Sequence, residues 1–279
     1  MQYPSEHVPI SDGTFTLLRN LIHERIGLYY DMSRRDVLMD RLSPRIIELG
    51  LGSSLDYYYL LKYSDTESQE WSYVVDVLSV PETYFWREMD QVQALVEYLV
   101  PKLVAAKPDS PLRIWSAACA TGEEPLTIAM ALNEAGWFDR TAIEINASDA
   151  SPRAIAKARQ GLYRERSFRS LPRTLWDRYF VERNGVWQIS PEIHSRVRWA
   201  VANLMAPHEI AGFANAPIIF CRNVFLYFSQ EAMSIVVHHF YHCMPAPGFL
   251  FLGAAESLLR INTPFELQEI GQSFVYVKR

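Results

Sequence analysis

"LRIWSAACATGEEP", residues 112–125, opens as an apolar run of strand character and closes on the acidic start of a helical stretch. A strand that turns directly into a helix is the unit from which parallel sheets are built. A turn that holds nucleotide phosphates at such a place carries two or three glycines, so that backbone N–H groups can close around the phosphate. This turn has one glycine, Gly122, preceded by alanines and followed by Glu123 and Glu124. Negative charge there repels a pyrophosphate and attracts a cation. Thr121 and Glu124 have the spacing of a capping box, which predicts that they close the helix N-terminus and leave Glu123 to the ligand.

Downstream, "AIEINASD" (142–149), "VRWAVANL" (197–204), "PIIFCRNV" (217–224) and "GFLFLGA" (248–254) are short strand-like runs separated by helical stretches. Alternation of that kind predicts an α/β domain with a mostly parallel sheet covered by helices on both faces. "YFVERNGVWQISPEIHSRVRW" (179–199) breaks the rhythm, because Asn184-Gly185 is a hairpin turn signal between short polar-apolar alternations. We read an inserted β-subdomain at about 180–198.

Upstream, "TFTLLRNLIHERIG" (14–27), "MSRRDVLMDRLSPRIIELGLG" (32–52), "SSLDYYYLLKYS" (53–64) and "SQEWSYVVDVLSV" (68–80) show helical spacing and almost no strand signal. They predict a small all-α domain of four helices over 1–80. Residues 81–111 are then a linker turn and amphipathic helix ending at "PDSP", and 112–279 form the α/β domain.

With 49% hydrophobic and 21% charged residues the 279-residue chain is globular in composition, and a net charge of -5 gives no general reason to expect nucleic acid. Three scattered cysteines without a CxxC pair read as reduced thiols. "MQYPSEHVPISDGTF" has no signal-peptide pattern, and no run is long and apolar enough for a membrane span. These features predict a cytoplasmic protein. His238 and His242 are one helical turn apart, but there is no HExxH pattern and no third ligand, so no metal is predicted.

Ligands of open α/β sheets bind beyond the carboxyl ends of the strands. That rule selects Glu123, then Asp149 as a partner for ribose hydroxyls, Asn203 with Leu204, and Arg222 with Asn223. Tyr227 follows in "RNVFLYF", where an aromatic is also at home in a core. In "PETYFWRE" (81–88), Thr83 and Arg87 lie on a turn entering a helix. A buried Arg87 needs a carboxylate, either the ligand's own or Glu123. S-adenosylmethionine, with a sulfonium, an ammonium and no phosphate, suits a crevice of this charge.

"IWSAACATGEEP", "FCRNVFLYF" and "GAAESL" together resemble the CheR family of chemotaxis receptor methyltransferases. The resemblance implies a class I methyltransferase fold, a mostly parallel seven-stranded sheet with an antiparallel pair at its end. It implies S-adenosylmethionine as methyl donor and S-adenosylhomocysteine as product, with glutamate side chains of chemoreceptors as acceptors. Its cofactor contacts fall on Thr83, Arg87, Glu123, Asp149, Asn203, Leu204, Arg222 and Asn223, and Arg222 and Tyr227 would orient the incoming carboxylate. Where the family usually has "TNET", this chain has Pro81 in place of an asparagine. Proline has no side-chain donor or acceptor and no N–H, so a contact of about 1 kcal/mol is lost. Ser151 replaces a second acidic residue common after Asp149.

The inserted hairpin is shorter than in enteric members, where it grips a pentapeptide tether on the receptor, and this implies tether-independent recognition; a monomer is expected. Residues 1–80 would be the receptor-docking domain. Arg34, Arg41 and Arg45, on a helix starting near Met32, would form one basic stripe for a glutamate-rich helical bundle, although residues 1–80 as a whole are acidic.

Overall fold

A computed structural model describes residues 7–63 and 69–279, so the first residues of the N-terminal stretch and the segment 64–68 lie outside the description. The chain divides into two compact units, Met1–Val80 with Tyr227–Met233, and Pro81–Leu226 with Ser234–Arg279.

The first unit has four helices among its described residues: α1 (Asp12–Ile26), α2 (Arg35–Glu48), α3 (Ser54–Tyr63) and α4 (Gln69–Leu78). Helix α1 begins where Ser11 Oγ accepts the Thr14 N–H, and it buries Phe15, Leu18, Ile22 and Ile26 at helical spacing. It ends at Gly27, whose φ is 78° and where a Cβ would stand 2.5 Å from the Phe228 ring. Glycine is therefore required twice there, by conformation and by space. Tyr29 N donates to the Tyr227 carbonyl at 3.0 Å, and His23 Nε2 lies 2.7 Å from Ser229 Oγ. These contacts are why Tyr227–Met233, distant in sequence, belongs to this unit.

The basic stripe is not formed as expected. Met32–Arg34 is a separate 3₁₀ turn, so exposed Arg34 stands outside α2. Arg41 Nη1 donates to the Leu78 carbonyl at 2.8 Å, and Arg45 pairs with buried Glu70 at 2.7 Å and with Glu48 at 2.9 Å. Tyr57 donates to Glu70 at 2.6 Å, and burial pushes that phenol's pKa well up. Arg41 and Arg45 satisfy groups inside the unit.

In the second unit seven strands form one sheet: β1 (Leu112–Ala117), β2 (Ile143–Asp149), β6 (Val197–Val201), β7 (Ile218–Cys221), β8 (Gly248–Phe251), β9 (Glu266–Ile270) and β10 (Ser273–Lys278). Their order is β6-β2-β1-β7-β8-β10-β9, with β10 antiparallel to both its neighbours and the rest parallel. Every residue of β7 and β8 is buried, as in strands covered on both faces. Edge strand β9 is largely exposed.

A second sheet, ordered β3-β5-β4, holds β3 (Leu162–Tyr163), β4 (Phe180–Arg183) and β5 (Val186–Ile189). The β4–β5 turn has Asn184 at φ 54° and Gly185 at φ 75°, the backbone that its Asn-Gly pair favours. The hairpin was legible, whereas β3, only two residues long, was not. Residues 81–111 carry α5 (Met89–Ala94) and α6 (Val100–Ala106), joined through a π-helical turn at Leu95–Leu99, and are part of the second unit. Phe85 is fully buried there, its ring 4.8 to 5.3 Å from those of Tyr163, Phe180 and Phe168.

Candidate functional site

The strand order reverses between β1 and β7, which pair in parallel with Ala117 opposite Cys221. That reversal opens a crevice at their carboxyl ends. The turn after β1 has Ala118 at φ 60°, Ala120 at φ 48° and Gly122 at φ 96°. A left-handed alanine costs about 1–2 kcal/mol, so neighbouring groups must hold the turn. Cys119 N donates to the Ser148 carbonyl and Ala120 N to Asp149 Oδ2, each at 2.9 Å. At Gly122 a Cβ would stand 2.8 Å from the Trp199 ring of β6, which explains the turn's one glycine.

The capping box does not form. Helix α7 (Glu123–Glu134) starts from Gly122 with no side-chain cap, and Thr121 Oγ1 donates instead to Glu123 Oε2 at 2.7 Å. Glu124 turns inward, accepting from Ser116 Oγ at 2.6 Å and standing 2.9 Å from Arg222 Nε. A buried guanidinium of fixed charge outcompetes a backbone N–H that water can serve. Glu123, 2% exposed, accepts a second hydroxyl, Ser167 Oγ, at 3.0 Å and has no cation within ion-pair distance among the described residues. Burial raises the pKa of both glutamates, opposed at Glu124 chiefly by Arg222 and at Glu123 chiefly by the Thr121 hydroxyl.

Asp149 closes β2 and also accepts the Ser151 N–H on Oδ1 at 2.9 Å. The N-cap of α8 (Pro152–Gln160) is Ser151, not Asp149, which leaves Asp149 facing the turn after β1. After β6, Asn203 Oδ1 accepts from Met205 N at 3.0 Å, and Leu204 is buried beside it in sequence. After β7, Arg222 is buried, donating to the Arg87 carbonyl at 3.0 Å and to Gln91 at 3.3 Å, while Asn223 takes φ 60°. Tyr227 belongs to the first unit.

The 81–88 segment straps across these ends. Phe85 N donates to the Ser167 carbonyl at 2.8 Å, and Trp86 (φ 69°) and Glu88 (φ 52°) are both left-handed. Half-buried Arg87 bonds the Glu82 carbonyl at 3.0 Å and stands 4.0 Å from Glu88, so its carboxylate neighbour is Glu88 and not Glu123. Thr83 is half-buried on the same strap. Among the described residues six non-glycine residues have positive φ, and all but Asn184 lie in the strap or in the turns after β1 and β7. Strain of this kind gathers where a ligand is held.

The strap and turns set the carboxylates of Glu88 and Glu124 against the guanidinium groups of Arg87 and Arg222, while Glu123 and Asp149 hold the turn after β1. Glu88 Oε2 is buried without a hydrogen bond, its nearest charge being Arg222 at 3.8 Å. Buried Glu123, which has no ion pair among the described residues, fits a cation beside it and disfavours a phosphate. Glu88, Ser167 and Gln91 were not singled out in the sequence, since each is recruited by a partner remote along the chain.

Fold and crevice thus define a methyltransferase that uses S-adenosylmethionine. Residues 81–274 match the family model described as CheR methyltransferase, SAM binding domain, and residues 13–79 match CheR methyltransferase, all-alpha domain. The chain belongs to the CheR methyltransferase family. It is 34% identical over 274 residues to chemotaxis protein methyltransferase 2 of Vibrio cholerae, covering 97% of this chain and 94% of that protein. It is 30% identical over 269 residues to the chemotaxis protein methyltransferase of Escherichia coli, covering 95% and 91%. With the probable biofilm formation methyltransferase WspC of Pseudomonas aeruginosa it shares 32% identity over 256 residues, covering 92% of this chain and 60% of that protein. Among the described residues no helix is long and apolar enough to cross a membrane, and no three acidic, histidine or cysteine side chains gather as a metal site.

Proposed function

We propose that this enzyme methylates glutamate side chains in the helical cytoplasmic domain of chemoreceptors. The observation that carries this reading is the acidic crevice at the reversal of strand order, in which Glu124 has Arg222 as its counter-charge and Glu123 accepts two hydroxyls with no ion pair among the described residues. When bound, S-adenosylmethionine supplies an electrophilic methyl group on a positively charged sulfur. Glu123 would balance cofactor charge, and Asp149 would take the ribose hydroxyls. Thr83, Arg87, Asn203, Leu204, Arg222 and Asn223 would complete the cofactor contacts, with Arg222 acting largely through Glu124 and the strap. An ionised glutamate has no proton to lose, so no general base is needed. The chain's contribution is alignment and the exclusion of water.

Residues 1–80 would dock the receptor, 81–111 would link that docking domain to the cofactor site, and 112–279 would hold the cofactor. The short β4–β5 hairpin supports recognition without a receptor tether, and the enzyme would work as a cytoplasmic monomer. The relative named for biofilm formation favours a sensory output that need not be motility.

The test is incubation with radiolabelled methyl donor and receptor membranes, followed by base. Label released as volatile methanol marks a carboxyl methyl ester. Base-stable label, or none despite cofactor binding, defeats the reading.

A further inference from the structure

One half-buried carboxylate has no part in the cofactor contacts above. Glu256 lies in "GAAESL", just past the carboxyl end of β8, and every polar contact it makes is with a backbone N–H. Its Oε2 accepts from Asn223 N and Gly253 N, each at 2.7 Å, and its Oε1 from Phe225 N at 2.7 Å and Leu226 N at 3.3 Å. Three of those donors belong to the turn after β7 and one to the end of β8. A single side chain therefore bolts the two strand ends together. Burial raises its pKa, and the four N–H groups work against that rise.

Two further features depend on the bolt. Asn223 is held at φ 60°, a left-handed conformation that asparagine adopts more readily than other residues with a Cβ. Its side chain lies so close to Gly253 that a Cβ there would stand 2.4 Å from Asn223 Nδ2. A carboxylate is the natural anchor for four converging donors, since it offers two oxygens, no hydrogen and a charge. Glutamine has one acceptor oxygen and would turn an NH₂ group on at least one N–H pair.

We propose that Glu256 is a positioning residue for methyl transfer: it holds Asn223 left-handed and fixes the 222–226 turn, so that the cofactor crevice is formed before the cofactor arrives. Glu256 itself touches neither cofactor nor acceptor. This assignment rests on the reading of Asn223 as a cofactor contact.

The test compares wild-type enzyme with Glu256→Gln and Glu256→Asp, measuring S-adenosylhomocysteine affinity by calorimetry and methyl transfer at saturating methyl donor. Glu256→Gln should weaken binding about tenfold. It should lower kcat on the order of 100-fold, the effect of an ångström-scale misplacement. Glu256→Asp, which keeps the charge, should recover part of both. A variant that is merely less stable would melt earlier, yet its folded fraction would bind and turn over as wild type does; that result overturns the proposal. Wild-type protein that binds no S-adenosylhomocysteine overturns the cofactor reading and this proposal with it, whereas equal binding and turnover by wild type and Gln variant overturns this proposal alone. If Glu256→Gln does not fold, amide exchange on the wild type decides. Concerted strong protection of the Asn223, Phe225, Leu226 and Gly253 amides before any S-adenosylhomocysteine is added supports positioning, and fast exchange there that slows only on adding it overturns the proposal.

Discussion

Glu123 and Glu124 are adjacent in sequence and opposite in role. Glu124 has a guanidinium 2.9 Å away; Glu123 has hydroxyls. Glu123→Gln should therefore weaken S-adenosylmethionine binding by about tenfold in calorimetry, the value of one charge-assisted contact. The melting temperature should hold or rise, because the amide avoids the desolvation penalty of a buried charge. The raised pKa of Glu123 fixes the sign of a pH effect. Above that pKa the carboxylate is charged, the cation is fully attracted, and the unliganded fold bears the desolvation penalty. As pH falls through it, protonation relieves the fold and removes the attraction, so affinity should decline over that range while this residue makes the unliganded protein no less stable. Affinity unchanged on acidification would count against Glu123 as the counter-charge.

Among the elements, the strap and the turns after β1 and β7 act as one piece because Arg222 ties them. It stands 2.9 Å from Glu124 and 3.8 Å from Glu88, and it donates to the Arg87 carbonyl at 3.0 Å. Arg222→Met leaves Glu124 and Glu88, both mostly buried, without their shared counter-charge and should cost about 3 kcal/mol in chemical denaturation. Adding Glu124→Gln should recover much of that loss, because the charge left stranded beside it is gone. A single-variant loss below about 1 kcal/mol would mean that water already screens the pair. Strands β1, β2, β7 and β8 and the Asn184-Gly185 hairpin were readable in the chain, since apolar runs and turn chemistry are local signals. Strand β3 was not, because two residues carry no period and exist as a strand only by pairing with β5.

For the whole molecule, receptor docking is testable only at residues whose charge is not already used within the fold. Reversing Arg45 would set a carboxylate against buried Glu70 and disrupt the first unit, so lost methylation there would say nothing of docking. Exposed Arg34 is the clean probe. Arg34→Glu should lower receptor methylation several-fold at low salt, converge with wild type at high salt, and leave cofactor affinity unchanged. Equal loss at all salt concentrations would argue against a steering role. From its sequence alone this protein could be read as an all-α domain joined to an α/β methyltransferase, because helix and strand periods and the acidic, glycine-poor turn are written in neighbouring residues. Tertiary structure decided which groups those residues face: Arg222 for Glu124, hydroxyls for Glu123, Glu70 for Arg45, and four converging N–H groups for Glu256. Such partners lie far apart along the chain and meet only once the register of β1, β7 and β8 and the packing of the four helices have brought them within hydrogen-bonding distance.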